Sequence, residues 1–80
     1  MTGKERLIEL LKLLYMQTDE DYPLSTAEIV SYFQSQGVPT DRGTVKADVA
    51  ALKNCDIEIM DTRGTQIKYY FSDRKFELAE

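Results

Sequence analysis

Residues 25–54 read STAEIVSYFQSQGVPTDRGTVKADVAALKN, and the two helices written in that stretch decide the architecture. The opening Ser25-Thr26-Ala27-Glu28 has the S-x-x-E spacing of a capping box. In such a box the serine hydroxyl accepts an orphaned amide at the start of a helix, and the glutamate reaches back to the serine N–H. Ile29, Val30 and Phe33 follow as the buried face of this helix. Gly37 closes it, because a left-handed residue just past a helix end is cheapest at glycine. Val38-Pro39-Thr40 is a short turn. The spacing then predicts a further helix from about Asp41 to Asn54, with Thr40 as its N-cap and Asp41 favourable in the first turn. Val45, Val49 and Leu52, at i, i+4 and i+7, define its core edge.

Upstream, a helix is expected from about Lys4 to Gln17, where Leu7, Ile8, Leu11, Leu14 and Tyr15 recur at helical spacing. Leu10 and Leu13 widen that stripe beyond what one thin core needs, and are read as candidate dimer contacts. Residues 18–23 form an acidic, helix-stopping loop. Downstream, the period changes from 3.6 to 2. Ile57 and Ile59 alternate with Glu58 and Met60, and Ile67, Tyr69 and Phe71 with Gln66, Lys68 and Tyr70, around a turn at Thr62-Arg63-Gly64-Thr65. That pattern is a β-hairpin. The order predicts an α+β fold, a winged helix-turn-helix of three helices followed by a β-hairpin wing, over residues 1–72. Residues 73–80, with Phe76 and Leu78 as apolar anchors, read as the start of a linker to a further domain.

A chain of 80 residues holds one small domain with a thin core. Ten basic and fourteen acidic residues leave a net charge of −4, so any nucleic-acid role must rest on a local basic patch. Asp19, Glu20 and Asp21 fall in the first loop, which a winged helix can hold away from a groove. Asp48 lies at the edge of a core face and calls for an internal partner such as an arginine. Cys55 is the only cysteine, so no internal disulfide forms; it reads as a small packing residue in a reducing compartment. The N-terminal segment has no continuous apolar stretch, which predicts a cytoplasmic protein that makes no membrane contact. With no histidine, phosphate-cradling glycine loop, metal-ligand cluster or nucleophile motif, the chain is read as a non-enzyme that needs no cofactor.

Two helices joined by four residues, Gly37 to Thr40, are held at a steep angle. The second helix of such a pair can enter the major groove of duplex DNA. Opposite Val45, Val49 and Leu52 on the third helix fall Gly43, Ala47, Ala50 and Asn54, with Lys46 and Lys53 on one shoulder and Thr44 towards the other. Such a small-residue ridge approaches a surface closely. Alanine methyls can meet thymine methyls while Arg42, Thr44 and Lys46 reach phosphates or base edges. Arg63 and Thr65 at the hairpin tip, with Lys68 on its outer edge, make a basic wing for the minor groove or backbone. Ser25 and Thr26 begin a helix whose amides can hold a phosphate. The other reading of the ridge is a docking surface for a protein helix.

Three stretches carry a family resemblance: Pro23-Leu24-Ser25-Thr26-Ala27-Glu28-Ile29, the segment from Thr40-Asp41-Arg42-Gly43-Thr44-Val45-Lys46 through Asp48 to Leu52, and the end from Tyr69-Tyr70-Phe71 to Phe76-Glu77-Leu78. In that order they resemble the N-terminal winged helix of WYL-domain transcriptional regulators. The resemblance covers nearly the whole chain. It implies recognition-helix roles for Arg42, Thr44 and Lys46 and a wing role for residues 63–68. It implies duplex DNA as partner, a homodimer, and an effector that would bind only through a C-terminal WYL domain missing from these 80 residues. Two positions depart from the family pattern. Ala47 stands where an arginine is frequent, and Asp56 where a glycine usually ends the recognition helix; aspartate tolerates the left-handed conformation better than most residues.

Overall fold

The computed structural model describes residues 2–72. In chain order it has α1 (Gly3–Gln17), β1 (Leu24–Ser25), α2 (Thr26–Ser35), α3 (Arg42–Asn54), β2 (Ile59–Thr62) and β3 (Lys68–Phe71). The strands form one antiparallel sheet in the order β1-β3-β2. The domain is therefore α+β, with the winged helix layout. The linker expected at 73–80, and the part of the resemblance that falls there, lie outside the described residues.

Each helix begins on a side-chain cap. Thr2 and Glu5 form a capping box for α1, with the Glu5 N–H donating to Thr2 Oγ1 (3.1 Å) and the Thr2 N–H to Glu5 Oε1 (2.8 Å). Ser25 and Glu28 repeat the arrangement at α2 with the same two distances. At α3 the cap is Asp41, whose Oδ1 accepts the Thr44 N–H at 2.8 Å. Thr40 is thus not the N-cap: the charged carboxylate one residue later is the stronger acceptor at the positive end of a helix.

All three carboxyls sit below their ordinary pKa, chiefly because each accepts a backbone amide: Thr2 for Glu5, Ser25 for Glu28 and Thr44 for Asp41. A carboxylate lowered in the folded state stabilises the fold above its unfolded value, and that contribution is lost as the pH falls through the folded value. The melting temperature is therefore expected to hold from neutrality to about pH 5 and to drop below about pH 4. Glu28→Gln should show a shallower drop in circular-dichroism melts. Parallel curves for the variant and the parent would exclude that cap as a source of the acid sensitivity.

The core joins Leu10, Leu13 and Leu14 of α1, Ile29 and Phe33 of α2, Val38, and Val45, Val49 and Leu52 of α3 to Ile59, Tyr69 and Phe71 of the sheet. Two expectations for α1 are corrected. Leu10 and Leu13 are core residues and not dimer contacts, whereas Ile8 and Tyr15 face solvent. α1 packs on α3 and on β3 at once, and that needs a wide inward face which includes both leucines. Thr18 closes the helix: its buried hydroxyl donates to the Leu14 carbonyl and accepts the Phe71 N–H at 3.0 Å.

Among the described residues, two have positive φ, Gly37 (76°) after α2 and Asp56 (63°) after α3. Asp56 takes the left-handed position that glycine would fill without strain. Cys55 is the C-cap of α3 and is exposed, which corrects its reading as a packing residue: it lies past Leu52, the last core position of the helix. Strand β1 was not anticipated. Its two residues pair with β3, Leu24 opposite Tyr69 and Ser25 opposite Lys68.

Candidate nucleic-acid interface

The register Ser25 opposite Lys68 sets the start of α2 beside the root of the β2–β3 hairpin. With the first turns of α3, these elements wall an open cleft of about 370 Å³. Ser25, Thr26 and Ala27 line one side, Arg42 and Lys46 another, and Thr65, Gln66 and Ile67 the third. Five residues singled out from the sequence thus converge: Ser25, Thr26, Arg42, Lys46 and Thr65. Ala27, Gln66 and Ile67 were missed, and only the fold brings them there.

Within the cleft the roles differ. The Ser25 and Thr26 side chains are buried, and Ser25 Oγ is occupied by the Glu28 N–H. What they can offer is backbone. The first amides of a helix have no intrahelical acceptor, and Thr26 and Ala27 hold those positions. Arg42 and Lys46, at i and i+4, share one exposed face of α3, and among the described residues neither is held in an ion pair. Thr44 is half-buried beside them, its N–H taken by Asp41.

From the cleft, α3 continues outward as the expected ridge. Gly43, Ala47, Ala50 and Asn54 are all exposed, opposite the buried Val45, Val49 and Leu52. Nothing inside the domain requires glycine at 43, since a Cβ there would meet only Asp41 Oδ1, at an ordinary 3.5 Å. The bareness of the ridge therefore serves no internal contact.

Charge around the ridge is arranged by pairing. Asp48 is bound by Arg6 of α1 through two hydrogen bonds, Nε to Oδ2 at 2.8 Å and Nη2 to Oδ1 at 3.3 Å. This is the arginine partner that its position called for, and the contact raises the Arg6 pKa. Lys53 and Arg63 behave differently from expectation. Both converge on Asp61 of β2, at 3.4 and 3.6 Å, so one of their two positive charges is offset inside the molecule. Asp61 was missed because only the packing of β2 on α3 brings it within reach of Lys53. Lys68 is half-buried at the start of β3 and helps hold Glu28 ionised. The acidic loop of Asp19, Glu20 and Asp21 precedes β1, and the antiparallel register puts it towards the Phe71 end of β3, away from the cleft.

Among the described residues, Arg42 and Lys46 bring positive charge outside any ion pair to the mouth of a cleft whose other walls supply helix-start amides and the hairpin. Among the described residues, no group of histidine, cysteine or acidic side chains is placed to hold a metal ion, and no helix is long and apolar enough to cross a membrane. No family model, curated protein or solved structure matches the chain.

Proposed function

We propose that this domain is a duplex-DNA-binding head of a transcription regulator, with α3 seated in the major groove and the β2–β3 hairpin as a wing on the adjoining backbone. The observation that carries the reading is the bare ridge of Gly43, Ala47, Ala50 and Asn54, flanked at its N-terminal end by the unpaired Arg42 and Lys46. A helix without bulky side chains on its outer face reaches base edges closely, and the cations at its N-terminal end position it on phosphates. The α2 amides in the same cleft add an uncharged phosphate site. The likeness to WYL-domain regulators supports the same reading. It would place effector sensing in a separate domain and the protein in the cytoplasm.

A second reading is favoured by one observation. Lys53 and Arg63 share Asp61, whose single negative charge offsets one of their two positive charges and leaves the ridge less basic than a nucleic-acid surface normally is. In that reading the ridge docks a protein helix.

Fluorescence anisotropy of the domain with a mixed-sequence duplex, titrated with salt, separates the two. Each phosphate contact contributes about −0.9 to the slope of log K against log salt. Arg42, Lys46 and a small contribution from the wing predict a saturable signal with a slope of roughly −2 to −4. Absence of binding at low salt would transfer the ridge to protein docking.

A further inference from the structure

Helix α1 leaves apolar surface on its outer side. Ile8, Tyr15 and Met16 are 60%, 56% and 70% exposed, three of the five large apolar side chains left exposed among the described residues. Ile8, Leu11 and Tyr15 recur at i, i+3 and i+7 and so form one stripe. A shallow apolar groove lined by Leu11, Lys12, Tyr15 and Phe71 runs beside it. The Tyr15 ring stands edge-on to Phe71, with 5.2 Å between ring centres, and is held in place before anything covers it. A pre-positioned aromatic beside an apolar groove loses little freedom on being covered, which is the character of an interface anchor.

The two ends of this stripe carry opposite charge. Lys4 stands in the first turn; Glu5, the acid beside it, is committed to the Thr2 N–H. The other end runs into Asp19, Glu20 and Asp21, all exposed. That loop is held compact by Asp19 Oδ1, which accepts the N–H groups of Asp21 and Tyr22. Lys12, midway, is balanced by Glu9 at 4.0 Å on the same helix.

We propose that α1 is a self-association face, on which two copies pack their α1 helices antiparallel about a two-fold axis near Leu11 and Lys12. Ile8 of one protomer then lies against Tyr15 of the other, at the mouth of its Leu11–Phe71 groove. Each Lys4 meets the acidic loop of the other copy. Parallel packing would oppose acid to acid and Lys4 to Lys4, so the charges select the antiparallel arrangement. Two-fold pairing covers the stripe on both copies and leaves no open end for further addition. The interface concerns α1 alone and holds whether or not the α3 ridge takes DNA.

Sedimentation equilibrium of the full chain tests this, from about 10 μM to about 1 mM. A concentration-dependent dimer is expected. Ile8→Glu with Tyr15→Glu should raise its dissociation constant at least about tenfold, because each buries an unpaired charge. Ile8→Glu alone, at a position with no ring contact to lose, should weaken the dimer while keeping the melting temperature, whereas Tyr15→Glu also gives up the edge-on contact with Phe71 and should melt slightly earlier. Lys4→Glu should weaken the dimer a few-fold, and adding Glu20→Lys with Asp21→Lys should restore it. A monomer at every concentration overturns the proposal, as does a dimer indifferent to the Ile8 and Tyr15 substitutions. A monomer whose Ile8 methyl resonance moves on Phe76→Ser with Leu78→Ser also overturns it, and assigns the stripe to the chain's own C-terminal segment. Loss of DNA binding with the dimer intact would bear on the α3 reading only.

Discussion

Phe33→Ala is expected to remove about 3–5 kcal/mol of folding stability, the usual cost of truncating a fully buried phenylalanine. Phe33 is 1% exposed and is the largest of the fully buried side chains. It lies on the buried face of α2, which packs on α3, and its ring meets Tyr32 edge-on at 5.4 Å. Its carbonyl accepts the N–H groups of Gln36 and Val38, so the same residue also forms the exit from α2 into the turn. A domain of 80 residues has total stability on the order of 4–12 kcal/mol. The substitution therefore removes a large part of what there is. In urea, with a slope of about 1–1.5 kcal/mol/M for so small a protein, the midpoint should move down by roughly 2–4 M or fall below zero. A loss under about 1 kcal/mol would mean that α2 does not present this face to the core.

Arg42→Glu with Lys46→Glu is expected to weaken duplex binding on the order of a hundredfold at low salt, since each change deletes one phosphate contact and sets a like charge against the backbone. The melting temperature should stay within about 2 °C, because surface substitutions of this kind usually alter stability by less than 0.5 kcal/mol. Both side chains are exposed and neither is in an ion pair among the described residues, so no internal contact is lost. Lys53→Glu gives the internal comparison. Lys53 already lies 3.4 Å from Asp61, and its reversal should reduce affinity far less. Equal losses at the two places would show that the domain responds to net charge and not to a built surface. An unaltered affinity in the double variant would remove α3 from the interface.

The parts of this fold that were legible in the sequence are those with a local cause. Ser25 and Glu28 announce their capping box by spacing alone, and Gly37 and Asp56 take the left-handed positions that their chemistry allows. Val45, Val49 and Leu52 sit where a single period puts them. Thr2 and Glu5 carry the same S/T-x-x-E signal as Ser25 and Glu28, so that cap was within reach of the sequence. The facing of α1 was not. Leu7, Ile8, Leu10, Leu11, Leu13, Leu14 and Tyr15 together wrap more than half of the helix, and only packing on α3 and β3 decides which are covered. β1 is too short to display alternation; its two residues become a strand because β3 is there to pair with. The cleft was partly legible. Arg42 and Lys46 follow from helical geometry, whereas the pairing of Lys53 with Asp61 depends on β2, a separate element, lying on α3, and that of Arg63 with the same carboxylate on how the hairpin turns.

Thr18 joins groups 53 residues apart, the last turn of the first helix and the amide of Phe71 in the last strand. Among the described residues β3 is also the middle strand of the sheet, and both other strands pair with it. The order of synthesis and the order of assembly are therefore opposed. As the chain leaves a ribosome, α1, α2 and α3 emerge first, but too short to hold as isolated helices, and β3, which completes the described core, comes out after all of them. Until residue 71 is clear of the exit tunnel, Thr18 has no amide to accept and Leu24 and Ser25 have no strand beside them. The nascent domain thus cannot complete the described sheet until β3 arrives.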